Sequence, residues 1–268
     1  MDSIRSHLQS LTHSLPTPIA HLASSILGQD CYSLLVLDLA FLQPPLSDNT
    51  SICLKFAISK AIGLAIVFAS SIVKLPQIIK LIRSRSAVGV SVSATLLEAA
   101  SYLIMFAYAA RLGFPFSTYG EQSFLFVQDL IIICLLLIYS SSYASLAIIP
   151  PAFALATYFL VLASPGPSLA TLQALQAATI PLSLASKVPQ IFTILREKST
   201  GQLSAVSAVA YLLGSLARLF TMAQEVDDLI VLTGAGLGAV LNFVLFVLMI
   251  VYWNSPAKPQ TRPSEKEE

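Results

Sequence analysis

The sequence predicts an all-α membrane protein with seven transmembrane helices, built as two parallel three-helix repeats joined by a linker helix. Three observations predict it. Hydrophobic residues make up 56% of the 268 residues and charged ones only 11%, with a mean hydropathy of +0.78. Soluble domains carry about a quarter charged residues, and a chain so poor in charge cannot cover the surface of a soluble fold. Apolar stretches of the roughly 20 residues that a helix needs to cross a hydrocarbon core recur along the chain. A short motif also returns at a fixed offset of 113 positions.

The spans are read as Ser59–Ile82, Ser91–Leu112, Gln122–Tyr139, Tyr143–Leu162, Leu169–Leu195, Ser204–Ala223 and Leu229–Trp253. Breakers fall between them: Arg83-Ser84-Arg85, Gly113-Phe114-Pro115, Pro165-Gly166-Pro167, Glu197-Lys198 and Asp227-Asp228. Upstream, Leu34–Leu42 is apolar but too short to span, and Pro44-Pro45 stops it. Residues 1–58 are therefore expected to form an N-terminal interfacial segment. Residues 59–139 form the first repeat, 143–162 the linker and 169–253 the second repeat. The polar, proline-containing residues 254–268 form a disordered tail. The N-terminus lacks a basic stretch leading directly into a long apolar run, so no cleavable signal peptide is expected.

Orientation follows from Lys and Arg near the span ends. Lys80, Arg83, Arg85, Arg196, Lys198, Lys258, Arg262 and Lys266 collect on one side, against Arg5, Lys55, Lys60 and Arg111 on the other. The first side is read as cytosolic. The C-terminus then lies in the cytosol and the N-terminus on the opposite side, where Asn49-Thr50-Ser51 forms a sequon close to the first span.

The repeat is carried by Lys74-Leu75-Pro76-Gln77-Ile78, Arg83, Ser86 and Ser91, matched by Lys187-Val188-Pro189-Gln190-Ile191, Arg196, Ser199 and Ser204. The copies lie on the first and fifth spans, so both run in the same direction. Proline inside a helix removes a backbone hydrogen bond and kinks it. One Pro-Gln pair could merely shape packing, which membrane helices tolerate. Two copies in register point instead to matched hinges at Pro76, Gln77, Pro189 and Gln190.

Ionisable residues inside spans are costly and suggest function by default. Lys74, Glu98, Asp129, Lys187 and Arg218 lie in spans, with Asn242 in the seventh. They are expected to line a polar cleft in which Glu98 and Asp129 pair with Lys74, Lys187 or Arg218. Three cations against two carboxylates suit an anionic group such as a lipid phosphate. Lysines near span ends can also snorkel to the interface.

Other chemistries are excluded or weakly marked. A formal net charge of +1 does not suit nucleic acid. No GxSxG, HExxH or Walker loop is present, and no span holds a histidine to activate a serine, so neither an enzyme nor a cofactor is expected. His7, His13 and His21 all precede the spans at spacings unlike those of metal ligands. Cys31 and Cys53 are candidates for a disulfide, and Cys134 lies in an apolar run. Gly234 and Gly238, at GxxxG spacing, offer a close-packing face and a candidate homodimer contact.

These motifs resemble the PQ-loop family, which includes SWEET sugar transporters, lysosomal amino-acid exporters and the KDEL receptor. Beyond the two Lys-x-Pro-Gln copies, the likeness rests on Phe114-Pro115-Phe116-Ser117-Thr118-Tyr119-Gly120-Glu121, on Thr200-Gly201-Gln202-Leu203-Ser204-Ala205, on Gly214-Ser215-Leu216-Ala217-Arg218, on Gln224-Glu225 and on Tyr252-Trp253-Asn254. It covers about Cys31–Asn254. Within the family these stretches resemble the branch needed for using dolichol-phosphate sugars. That resemblance implies a multi-pass endoplasmic reticulum protein with a lumenal N-terminus. It would serve dolichol-phosphate-mannose and dolichol-phosphate-glucose as donors for N-glycans, GPI anchors and protein mannosylation, with glycosyltransferases as candidate partners. Three readings stay open: a non-enzymatic facilitator of these lipid donors, a carrier of a small sugar or amino acid, and a scaffold for transferases.

Overall fold

The computed structural model describes residues 2–42, 47–87, 90–198 and 205–253. Every regular element among them is helical. The predicted tail, the Pro44-Pro45 stop and the Thr200–Ser204 stretch lie outside the described residues. The chain divides into two compact units at Gly166/Pro167, with Ala223–Asp227 belonging to the first.

The first unit opens with short helices α1 (Asp2–His13), α2 (Thr17–Leu27) and α3 (Gln29–Tyr32), the last continuing as a π-helical turn over Ser33–Leu37. Gln9 Nε2 donates to the Asp38 carbonyl at 3.2 Å, and a Cys31–Cys53 disulfide fastens α3 to the following long helix. That helix, α4 (Asp48–Ser70), starts well before the predicted Ser59. Ser47 caps it, its hydroxyl accepting from the Thr50 N–H at 3.2 Å. The correction has a physical cause. Asn49, Thr50, Ser51, Lys55, Ser59 and Lys60 dilute the apolar window, yet Thr50, Ser59 and Lys60 are buried. A turn at Ser71–Lys74 then leads into α5 (Leu75–Ser84), so that 37 residues, Asp48–Ser84, make one bent span.

Helix α6 (Val92–Arg111) is capped by Ser91, a residue of the repeated motif, whose Oγ accepts from Ala94 N–H at 3.3 Å. Helix α7 (Phe116–Tyr139) starts six residues before the predicted Gln122. Its first turn reads as loop because it is polar, but Ser117 and Thr118 are buried, and Thr118 Oγ1 donates to the Pro115 carbonyl at 2.6 Å. Helix α8 (Tyr143–Thr157) continues as a π turn over Tyr158–Leu162. The core of this unit is Ala99, Leu103, Phe126, Ile133 and Leu137, covered by Ile149, Phe153 and Ala156 from α8, with Ile78, Leu81, Ile132 and Leu136 joining α5 to α7. Arg111 ends the unit: its Nε donates to the Leu160 carbonyl at 2.9 Å and its Nη2 to that of Ala163 at 2.7 Å. A Cβ on Gly166 would clash with the end of that guanidinium, which would have to shift.

The second unit holds α9 (Leu169–Glu197), most of α10 (Ala205–Glu225) and α11 (Leu229–Val251). Ser168 caps α9 through Thr171 N–H, and Asp228 caps α11 through the N–H groups of Ile230 and Val231. Gly234 faces Ile180 of α9, whereas a Cβ on Gly238 would meet nothing.

Six helices among the described residues are long and apolar enough to cross a membrane: Asp48–Ser84, Val92–Arg111, Phe116–Tyr139, Tyr143–Leu162, Leu169–Arg196 and Leu229–Val251. The predicted sixth span, now α10, is a helix of 21 residues but is not among the six. Arg218, Gln224 and Glu225 lower its apolar character. Large apolar side chains point outward across these spans: Phe68, Ile148 and Leu155 are 73%, 66% and 68% exposed. That surface suits lipid rather than water.

Candidate polar site in each repeat

The two Pro-Gln copies sit in different backbones. In the first, Pro76 is the second residue of α5, just past the Ser71–Lys74 turn. The turn leaves backbone groups without helical partners, and α7 supplies them through one side chain. Gln128 Nε2 donates to the Ser70 carbonyl at 2.8 Å, and Gln128 Oε1 accepts from the Lys74 N–H at 2.9 Å. In the second repeat, α9 runs unbroken through Pro181 and Pro189. The position matching Gln128 is Leu241, which has no polar group to offer. The expected matched hinges are thus a clamped break at Pro76-Gln77 and a proline-bearing continuous helix at Pro189-Gln190. Symmetry returns at the helix ends: Arg85 and Lys198, 113 positions apart, both take left-handed φ values of 47° and 50°.

The candidate ionisable residues gather within each repeat. Lys74 Nζ lies 2.5 Å from Asp129 Oδ1 and 2.9 Å from Glu98 Oε1. Its ammonium also stands 5.2 Å from the Tyr102 ring centroid, while Tyr102 Oη donates to Glu98 Oε1 at 3.1 Å. In the second unit, Lys187 Nζ donates to Asn242 Oδ1 at 2.5 Å and stands 5.7 Å from the Tyr211 ring. Asn242 Nδ2 donates to the Tyr211 carbonyl at 3.2 Å. These sites correspond position by position. Lys74 matches Lys187, Glu98 matches Tyr211 and Asp129 matches Asn242, each 113 residues on.

The charge balance differs. The first site sets two carboxylates on one ammonium. In the second, both acids are replaced by neutral residues, and among the described residues Lys187 has no ion pair. The expected pairing of Glu98 and Asp129 is therefore with Lys74. Arg218 sits half-buried on α10, its carbonyl accepting from Thr221 Oγ1 at 2.9 Å.

A third polar cluster was not singled out from the sequence. Glu225, whose side chain is fully buried, accepts from Lys60 Nζ at 2.7 Å, Ser59 Oγ at 2.7 Å and Ser117 Oγ at 2.5 Å. Lys60 also donates to Ser117 Oγ at 3.0 Å. Gly63, one turn on, lets α7 approach: a Cβ there would lie 3.0 Å from the Ser117 carbonyl. Lys60 and Glu225 read as span-end charges because their partners lie 165 residues apart. The available signal was that Ser117 and Glu225 both fall in the stretches that carry the family resemblance. Among the described residues, no group of three or more His, Cys, Asp or Glu side chains is placed to hold a metal.

A PQ-loop repeat model matches residues 58–118 and again 171–231, two intervals separated by the same 113 positions as the motif. Over these two intervals the chain is similar to the PQ-loop repeat. Its sequence is similar to human solute carrier family 66 member 3, with 26% identity over 192 residues, covering 70% of this chain and 90% of that one. Its fold is like that of a eukaryotic SWEET transporter solved at 3.7 Å resolution, with a TM-score of 0.58 and 17% identity, covering 75% of this chain and 99% of that one. Each matched interval contains one Lys-x-Pro-Gln copy, with Lys74 in the first and Lys187 in the second.

Proposed function

We propose that this PQ-loop protein is a non-enzymatic facilitator of dolichol-phosphate-sugar use in the endoplasmic reticulum membrane. In this reading it presents or moves dolichol-phosphate-mannose, and dolichol-phosphate-glucose, to lumenal transferases. The observation that carries the reading is the cation of the second repeat. Lys187 is half-buried in a span beside neutral Asn242, where the first repeat has Asp129. An ammonium in an apolar setting without a carboxylate suits an anionic group, and the lipid donor carries one at its phosphate. The first-repeat lysine is already held by two carboxylates, so the phosphate is assigned to Lys187.

Two further points support the reading. Phe114–Glu121 and Gly214–Arg218 resemble the mannose-P-dolichol utilization defect 1 branch of the family. The Cys31–Cys53 disulfide is compatible with an N-terminal segment in an oxidising lumen, and in this reading the Lys80, Arg83 and Arg85 end faces the cytosol, where the lipid donors are made.

The similarity to human solute carrier family 66 member 3 and the SWEET-like fold favour a second reading, a carrier of a small sugar or amino acid by alternating access. Complementation separates the two. In cells lacking the dolichol-phosphate-sugar function, the facilitator restores full-length lipid-linked oligosaccharide while the level of dolichol-phosphate-mannose stays unchanged. Persistent truncated oligosaccharides despite good expression, together with saturable uptake of a soluble solute into vesicles, establish the carrier instead.

A further inference from the structure

The first repeat carries more negative charge than its lysine can neutralise. With Lys74, Glu98 and Asp129 all ionised, the cluster has one ammonium and two carboxylates. The two acids are not equivalent. The Glu98 side chain is 46% exposed and accepts from Tyr102, whereas that of Asp129 is fully buried. Asp129 Oδ1 takes the Lys74 hydrogen bond, but Asp129 Oδ2 is sealed from solvent and meets no donor among the described residues. A buried, unpaired carboxylate oxygen is among the most costly states a side chain can adopt, and neutralisation relieves it.

The surrounding groups do not supply a second cation. Among the described residues, the cluster draws Glu98 and Tyr102 from α6 and Lys74 from the α4–α5 turn. On α5, Lys80 and Arg83 are exposed; on α4, Lys60 is held by Glu225. Helix α8 contains no Asp, Glu, Lys or Arg, and its titratable side chain within Tyr143–Thr157 is Tyr143.

The second repeat provides an internal comparison. There the residue in register with Asp129 is Asn242, neutral and nearly the same shape as a protonated aspartic acid, and it receives the equivalent lysine bond. We propose that Asp129 is a proton-binding site of the first repeat. Oδ2 takes up a proton, with half-exposed Glu98 as the acid of the cluster nearest the surroundings, while Oδ1 continues to accept from Lys74. Occupancy makes Lys74–Asp129 chemically alike to Lys187–Asn242. It leaves Glu98 as the one carboxylate charge facing the Lys74 ammonium. Because Gln128, adjacent to Asp129, holds the Lys74 N–H and the Ser70 carbonyl, the proton sits one residue from the clamp on the first-repeat kink. This inference does not rest on the lipid-donor reading.

The test is infrared difference spectroscopy of the full chain in phosphatidylcholine vesicles, titrated from acid to alkaline buffer. The unmodified protein is expected to show a protonated-carboxyl carbonyl band that disappears as pH rises. Asp129→Asn should lose the band completely, and Glu98→Gln should keep it. Asn in this position has the precedent of Asn242, and circular dichroism checks the fold. Carbon-13 labelling of aspartate alone in the unmodified chain gives a second readout, in which the band must shift. A band that is absent from the unmodified protein, survives in Asp129→Asn, or fails to shift on labelling overturns the proposal. So does a carboxylate band that responds to sodium at fixed pH, which would make the ligand a metal cation.

Discussion

Removing the carboxylate of Glu225 perturbs the most completely satisfied polar cluster described. Three donors converge on it, from Ser59, Lys60 and Ser117, and its side chain is wholly buried while that of Lys60 is 10% exposed. Glu225→Ala leaves the Lys60 ammonium with Ser117 Oγ as its remaining partner in this cluster and strips both serine hydroxyls of their acceptor. Breaking a buried pair from one side costs about 3–5 kcal/mol, because the surviving charge stays desolvated. Replacing both partners by apolar residues, Lys60→Met with Glu225→Leu, removes that charge and leaves only the serine hydroxyls short of acceptors, about 1 kcal/mol each. The double variant is therefore expected to be more stable than Glu225→Ala alone. Unfolding in mixed micelles titrated with dodecyl sulfate measures the difference. A Glu225→Ala loss below about 1 kcal/mol, or a double variant no more stable than the single, refutes the reasoning, since either result means the Lys60 charge is solvated.

Lys74→Met should destabilise the fold more than Lys187→Met. The first strands buried Asp129 and its neighbour Glu98, costing about 3–5 kcal/mol, and the second leaves neutral Asn242, costing about 1 kcal/mol; the same micelle titration ranks them. Gln128→Leu, which copies the second repeat, removes the acceptor of the Lys74 N–H and the donor to Ser70, and is expected to speed hydrogen exchange at the Lys74 amide while leaving exchange in α9 unchanged. Cys31→Ala with Cys53→Ala should cost about 2–4 kcal/mol, and in intact microsomes a thiol reagent that cannot cross membranes should leave single-cysteine Cys31 chains unlabelled until the membrane is opened.

Much of the span pattern was legible because apolar length and loop punctuation are local properties. Tyr143–Leu162 and Leu229 could be read directly, and the 113-residue offset brought Lys74 and Lys187 into register before any contact was known. The ends that were misread share one cause. Asp48–Ile58 and Phe116–Glu121 carry polar residues yet are helical: Thr50, Ser51 and Thr118 bond within their own first turns, and Ser117 reaches Lys60 and Glu225. Polarity in a sequence window does not distinguish a loop from a helix whose polar groups are paired. The same limit hid Lys60–Glu225, whose partners lie 165 residues apart. Asymmetry between the hinges was partly visible, since Leu241 stands where Gln128 does, but its meaning depends on the Ser70 and Lys74 backbone groups that Gln128 bridges.

Native mass spectrometry of the full chain in nanodiscs, with a short-chain dolichol-phosphate-mannose analogue, tests the central claim most directly. Binding of one lipid to the unmodified protein is expected, with at least a tenfold loss in Lys187→Met, about 1.4 kcal/mol of binding free energy, and little loss in Arg111→Lys. Undiminished binding by Lys187→Met, or displacement of the lipid by free mannose, would contradict the assignment of the phosphate to the second repeat.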